Sequence, residues 1–127
     1  MDIANRYILI IDDSTTNQVL LEALLQEEGF ATQSASSVDE AYSIIQKSKP
    51  SLILLDLLMP HVSGTECLKH LKSNAGTVNI PVVVVSAVIS PEYRNNIMQL
   101  GANDYFTKPI DIPVFIRKVK GMLDTKS

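Results

Sequence analysis

Five side chains stand out for the chemistry they would support together: Asp12, Asp13, Asp56, Ser86 and Lys108. Each follows a short apolar run. Tyr7-Ile8-Leu9-Ile10-Ile11 leads into Asp12 and Asp13, Leu52-Ile53-Leu54-Leu55 into Asp56, and Ile80 to Val85 into Ser86. Lys108-Pro109 follows the shorter stretch Asp104-Tyr105-Phe106-Thr107. Taken singly, each reads most simply as a polar loop residue or a helix cap. Taken together, they bring three carboxylates, a hydroxyl and an ammonium to the same end of successive runs. Three carboxylates within a few ångströms repel by roughly 4 kcal/mol per pair at an effective dielectric near 20. A fold tolerates that only with protons or a cation among them. Oxygen ligands without His or Cys select a hard cation. A solvent-facing edge with few protein ligands suits Mg²⁺, which keeps several waters and shares phosphate oxygens. A carboxylate beside Mg²⁺ and an ammonium is also set up to attack a phosphoryl group. The cations stabilise charge on the transferring oxygens, and Asp56 is competent to form an acyl phosphate.

Such a site requires the runs to be strands of one sheet. Continuous apolar runs rich in β-branched residues suit parallel strands buried on both faces, and the four consecutive valines after Pro81 are the strongest β signal in the chain. Between the runs the spacing turns helical. Val19, Leu20, Ala23 and Leu24, with Leu21 beside them, predict the inner face of a first helix that Gly29 stops. Phe30 to Ser34 reads as a shorter second strand. Ser37-Val38-Asp39-Glu40 reads as a capping box opening a helix with Val38, Ala41, Ile44 and Ile45 inward, and Pro50 ends it. Ser63-Gly64-Thr65-Glu66 offers another box, followed by Cys67, Leu68 and Leu71. Ser90-Pro91 opens a fourth helix closed by Gly101. Asp111 caps a fifth, with Ile112, Phe115, Ile116, Val119, Met122 and Leu123 on one face. Five strands alternating with five helices predict an α/β fold with a doubly wound five-stranded parallel sheet. Order 2-1-3-4-5 is one of the two common solutions, and ligands then sit outside the carboxyl ends of the strands.

Composition narrows the function classes. With 127 residues, 46% of them apolar, the chain suits one domain with a real core. A net charge of −3 disfavours disorder, and a pI near 5.2 argues against a general grip on nucleic acid. No apolar run approaches the roughly 18–20 residues of a membrane span, and no signal peptide opens the chain. The single cysteine, Cys67, excludes a disulfide framework and fits a cytoplasmic protein.

Ile10-Ile11-Asp12-Asp13-Ser14, Leu54-Leu55-Asp56-Leu57-Leu58-Met59-Pro60 with Gly64 beyond it, Val84-Val85-Ser86-Ala87 and Lys108-Pro109 occur in that order. Together they resemble the receiver domain of two-component response regulators, a chemotaxis-type fold built as a flavodoxin-like three-layer sandwich. The resemblance runs from about Arg6 to about Leu123, which implies a single receiver domain over 1–127 with no output domain in this chain. It implies Asp56 as the phosphoacceptor. Asp13, with Asp12 partly through water, would form the Mg²⁺ site, joined by an Asp56 oxygen and the backbone carbonyl of Leu58. Lys108 would pair with phosphoryl oxygens, and Ser86 would hydrogen-bond another. Tyr105 matches an aromatic switch position whose ring turns inward as Ser86 moves, and the Lys108-Pro109 bond would be cis. The phosphodonor would be a histidine kinase or histidine phosphotransfer protein. The readout would be a downstream protein target, an output domain or a homodimer, through a face of the fourth helix, fifth strand and fifth helix that includes Tyr93, Arg94, Gln99, Arg117, Lys118 and Lys120. Such a domain catalyses only its own phosphorylation and dephosphorylation. The apolar Leu58 cannot orient a hydrolytic water and implies slow loss of the phosphoryl group.

Two other classes share parts of this chemistry. An aspartyl-phosphate-forming phosphatase of the haloacid dehalogenase kind wants a second carboxylate two residues after the nucleophile, where this chain has Leu58. A flavin or nucleotide module on the same fold wants a Gly-rich or Ser/Thr-rich phosphate loop after the first strand. Asp12-Asp13 puts negative charge there, with Ser14-Thr15-Thr16-Asn17 only a faint echo. His61 and His70 read as surface residues, Cys67 as a small core residue, and the lysines of the last helix as a solvated face.

Overall fold

The computed structural model describes residues 7–56, 64–87 and 90–124. The elements run β1 (Ile8–Ile11), α1 (Thr15–Glu27), β2 (Thr32–Ala35), α2 (Val38–Lys47), β3 (Leu52–Asp56), α3 (Gly64–Ser73), β4 (Val82–Ser86), α4 (Pro91–Gln99), β5 (Asp104–Thr107) and α5 (Ile112–Asp124). All strand pairs are parallel, in the order β2-β1-β3-β4-β5. This is the doubly wound α/β sandwich that the sequence pattern predicts.

Strand alternation divides the core in two. Ile8, Ile10, Leu52, Leu54 and Val83 meet Leu21 and Leu25 of α1 and Phe115, Val119 and Leu123 of α5. Leu9, Ile11, Ile53, Leu55, Val82 and Val84 meet Ala41 and Ile45 of α2, Cys67, Leu68 and Leu71 of α3, and Ile97 of α4. Burial on both faces is why the strands read as continuous apolar runs. Cys67 is buried, and burial pushes its thiol up to about 11, which leaves it unreactive.

Local signals set the helix starts. Side-chain oxygens of Ser14, Ser37, Ser90 and Asp111 accept from the backbone N–H groups of Asn17, Glu40, Tyr93 and Val114 at 3.3, 3.1, 3.3 and 3.3 Å. Glu40 reaches back to the N–H of Ser36 at 2.6 Å, one residue before the cap. Ser63, and with it the box it would head, lies outside the described residues. Strand β2 starts two residues later than Phe30 because the α1–β2 turn extends through it: the Phe30 N–H still bonds to Leu25 O at 3.1 Å.

Two predicted faces are corrected. Helix α1 turns Leu21 and Leu25 inward, while Val19 and Leu20 are more than half exposed. The rotation is fixed by polar side chains facing β2: Gln18 bonds at the β2 end, Glu22 accepts from the Ser34 hydroxyl, and Gln26 donates to Thr32. In α5, Phe115, Val119 and Leu123 are buried and Ile116 and Met122 partly so, but Ile112 is exposed in the first turn.

The turn into β5 yields a stability prediction. Gly101 has φ +114°, and a Cβ placed there would lie 2.8 Å from Lys72 Cγ. That side chain cannot yield easily, because its ammonium donates to Val78 O, Ile80 O and Asn103 Oδ1 at 3.3, 2.8 and 3.2 Å. Gly101→Ala should therefore cost about 2–3 kcal/mol from backbone strain and overpacking together. Gly29→Ala, at φ +93° but in open space, should cost less. Urea unfolding checks this, and equal midpoints for the two variants would contradict it.

Candidate functional site

Parallel register assembles the site. Ile11 stands opposite Leu55, so Asp12 and Asp56 leave adjacent strands side by side. Ser86 ends β4 opposite Thr107, and its carbonyl accepts the Lys108 N–H at 2.8 Å. Carboxylate oxygens of Asp12, Asp13 and Asp56 lie within 4.8 Å of one another. The Lys108 ammonium is 3.6 Å from Asp56 Oδ2. Asp12, Asp56 and Ser86 are buried, Asp13 is exposed, and the Lys108-Pro109 bond is cis. All five residues singled out by the sequence thus lie at the carboxyl edge of the sheet, with the three carboxylates clustered and the Lys108 ammonium beside Asp56. Leu58 and His61 fall outside the described residues.

The Asp12 turn is tightly held. Its N–H donates to Ala35 O at 3.0 Å, and its Oδ1 accepts from the Ser14 N–H at 2.9 Å. Burial pushes the Asp12 carboxyl above its ordinary value of 3.8, and the neighbouring Asp56 charge adds to that. The Ser14 N–H and the Lys108 charge work in the opposite direction. A raised folded value means that the folded state binds more protons than the unfolded one. The contribution to stability is therefore full below about 3.8 and is lost as pH rises through the folded value. Asp12→Asn, in chelator at neutral pH, should raise the melting temperature, and the gain should shrink as pH falls toward and below about 3.8. A melting temperature unchanged or lowered at neutral pH would contradict this account of the site's charge.

Tyr105 is buried on β5, with the Tyr93 ring of α4 edge-on to it at 6.5 Å between centroids. On the predicted partner face Arg94, Gln99 and Arg117 are exposed, and Tyr93 is half-buried. Lys118 lies 3.7 Å from Asp104 and Lys120 2.6 Å from Glu28, so both have acidic neighbours within the fold. His70 is exposed, but its Nδ1 is 2.8 Å from the Tyr42 hydroxyl.

Two features were not legible beforehand. A groove of about 480 Å³ is lined mainly by Leu20, Leu21, Leu24, Val85, Ile110 and Ile112, and Asp12 and Lys108 also line it. Gln18 bonds to the Asp12 carbonyl from the inner side of α1. The signal for both is the rotation of α1, which the spacing of its leucines leaves open.

Among the described residues no helix is long and apolar enough to cross a membrane. Residues 8–120 match the model of the response regulator receiver domain. The polar-differentiation response regulator DivK of Brucella ovis is 34% identical over 116 residues, covering 91% of this chain and 94% of DivK. The phosphate regulon transcriptional regulatory protein PhoB of Pseudomonas aeruginosa is 32% identical over 116 residues, and there the chain spans only about half (51%) of the relative's length. The receiver domain of the Francisella response regulator 1452 superposes with a TM-score of 0.87 at 28% identity, over 96% of this chain and 98% of that one. These likenesses do not favour the phosphatase or the flavin-module reading. The chain belongs to the response regulator receiver domain family of two-component systems.

Proposed function

We propose that this receiver domain accepts a phosphoryl group on Asp56 from the phosphohistidine of a histidine kinase or histidine phosphotransfer protein. The observation that carries the reading is the meeting of Asp56 with Asp12 and Asp13 within 4.8 Å, and with Lys108 at 3.6 Å. The donor set is all oxygen and partly open to solvent, which fits Mg²⁺. Asp12, Asp13 and Asp56, with the Leu58 carbonyl, would hold the ion, which supplies charge neutralisation for the transferring phosphoryl oxygens. An Asp56 oxygen attacks phosphorus, the P–N bond to the donor histidine breaks, and the electron pair leaves with that nitrogen. Lys108 holds a phosphoryl oxygen, and the buried Ser86 hydroxyl donates to another. The mainly apolar groove, whose lining includes Asp12 and Lys108, would receive an apolar helix face of the donor protein.

The new group adds about −1.5 to −2 of charge and three acceptors. Ser86 is drawn toward it. Tyr105 lies buried against Tyr93, and this inward arrangement is the one that the move of Ser86 would stabilise. The face of α4, β5 and α5 then presents itself to a target, an output domain or a second copy. Residues 1–127 act as one receiver unit in the cytoplasm, catalysing only their own phosphorylation and dephosphorylation.

Incubation with phosphoramidate and Mg²⁺ tests this reading by intact mass. One added phosphoryl group is expected, labile to hydroxylamine and absent when EDTA replaces Mg²⁺. An unmodified mass, or a hydroxylamine-stable adduct, would contradict it.

A further inference from the structure

We infer that Gln18 is a positioning residue for the acidic site, holding the peptide that joins Asp12 to Asp13 so that both carboxylates converge. The inference rests on the proposed Mg²⁺ site and adds to it a residue on α1 that touches neither the ion nor the phosphoryl group. The Gln18 amide nitrogen lies 2.6 Å from Asp12 O, 3.3 Å from Ala35 O and 3.2 Å from Ser36 Oγ. Two of the three neighbours are carbonyl oxygens, which only accept, and this fixes which end of the amide carries the N–H groups.

The geometry gives this contact a specific consequence. Asp12 is held on one side through its N–H to Ala35 O at 3.0 Å. On the other side its carbonyl is held by Gln18. The Asp12 carbonyl belongs to the peptide plane that carries the Asp13 Cα, so fixing that oxygen fixes the point from which the Asp13 side chain departs. Asp13 is the exposed member of the cluster, and its neighbours Asp12 and Asp56 are buried. Without the Gln18 contact the peptide can rotate, and the cost of bringing three like charges together favours moving Asp13 outward into solvent.

Gln18 is also placed where an apolar residue would suit α1 better for packing. It lies one turn before Leu21, which with Leu25 forms the buried stripe of the helix. A polar amide there, aimed at two carbonyls and a hydroxyl, matches a positioning role at the sheet's carboxyl edge. The comparison residue is Gln26, on the same helix, which donates to Thr32 Oγ1 at 2.9 Å and so ties α1 to β2 without contact to Asp12.

The test is the Mg²⁺ dissociation constant by calorimetry for the wild type, Gln18→Met and Gln26→Met, with melting temperatures measured alongside. Methionine keeps the length and the helix propensity, so both variants fold. Gln18→Met should weaken Mg²⁺ binding about tenfold, the low end for losing a partner outside the ligand shell. Gln26→Met should stay within about twofold of the wild type, since its bond lies outside that shell. Unchanged affinity in Gln18→Met, or equal weakening in both variants, would overturn the inference and leave the proposed Mg²⁺ site intact. Absence of Mg²⁺ binding by the wild type would instead overturn the proposed function.

Discussion

Asp56→Asn should abolish phosphoryl incorporation from acetyl phosphate in the presence of Mg²⁺. The amide keeps the shape of the carboxylate but has no anionic oxygen to form the acyl phosphate. The substitution should leave the fold intact, because Asp56 ends a strand whose other residues are all buried apolar side chains. Removing one of three crowded charges also relieves repulsion with Asp12 and Asp13. The loss of labelling should therefore come with a melting temperature no lower than that of the wild type. Labelling that persisted at the wild-type level in this variant would take the acceptor role away from Asp56.

Lys108→Ala should slow phosphorylation by the same donor about 10²–10³-fold, as expected when one preorganised charge at a reacting oxygen is removed. The ammonium is 3.6 Å from Asp56 Oδ2 and the Lys108 side chain is about one-third exposed, so it is held near the acceptor with room for the incoming group. Its removal takes a positive charge from the acidic cluster, and Mg²⁺ should bind no more weakly than before. Rate and metal affinity should thus separate: one falls steeply, the other does not. Single-turnover labelling beside a Mg²⁺ titration checks the pair, and a labelling rate near that of the wild type would contradict the assigned role.

The sheet and its edge were readable because strands buried on both faces leave an unbroken apolar trace, and that trace stops where the backbone emerges. Asp12, Asp56 and Ser86 each sit at such a stop, so their convergence followed from topology alone. The rotation of α1 was not readable. Leu20, Leu21, Leu24 and Leu25 form two overlapping stripes at helical spacing, and either satisfies the periodicity. The choice is made by Gln18, Glu22 and Gln26 through partners in and around β2, which for Gln18 and Glu22 lie 17 and 12 residues away in sequence. The groove beside the acceptor and the role of Gln18 both depend on that choice, and both were hidden with it. Ile112 was misread for a related reason. It continues the apolar stripe of α5 in sequence, but the first turn extends to the groove at the sheet's edge, where it lines that opening.

The central claim is that Mg²⁺ makes the crowd of carboxylates at the sheet's carboxyl edge tolerable and ready for transfer. Calorimetric titration of the purified chain with Mg²⁺ tests it most directly. One saturable site at millimolar concentrations or below is predicted, lost when Asp13 is replaced by alanine. A wild-type chain that shows no saturable Mg²⁺ binding at those concentrations would contradict the account.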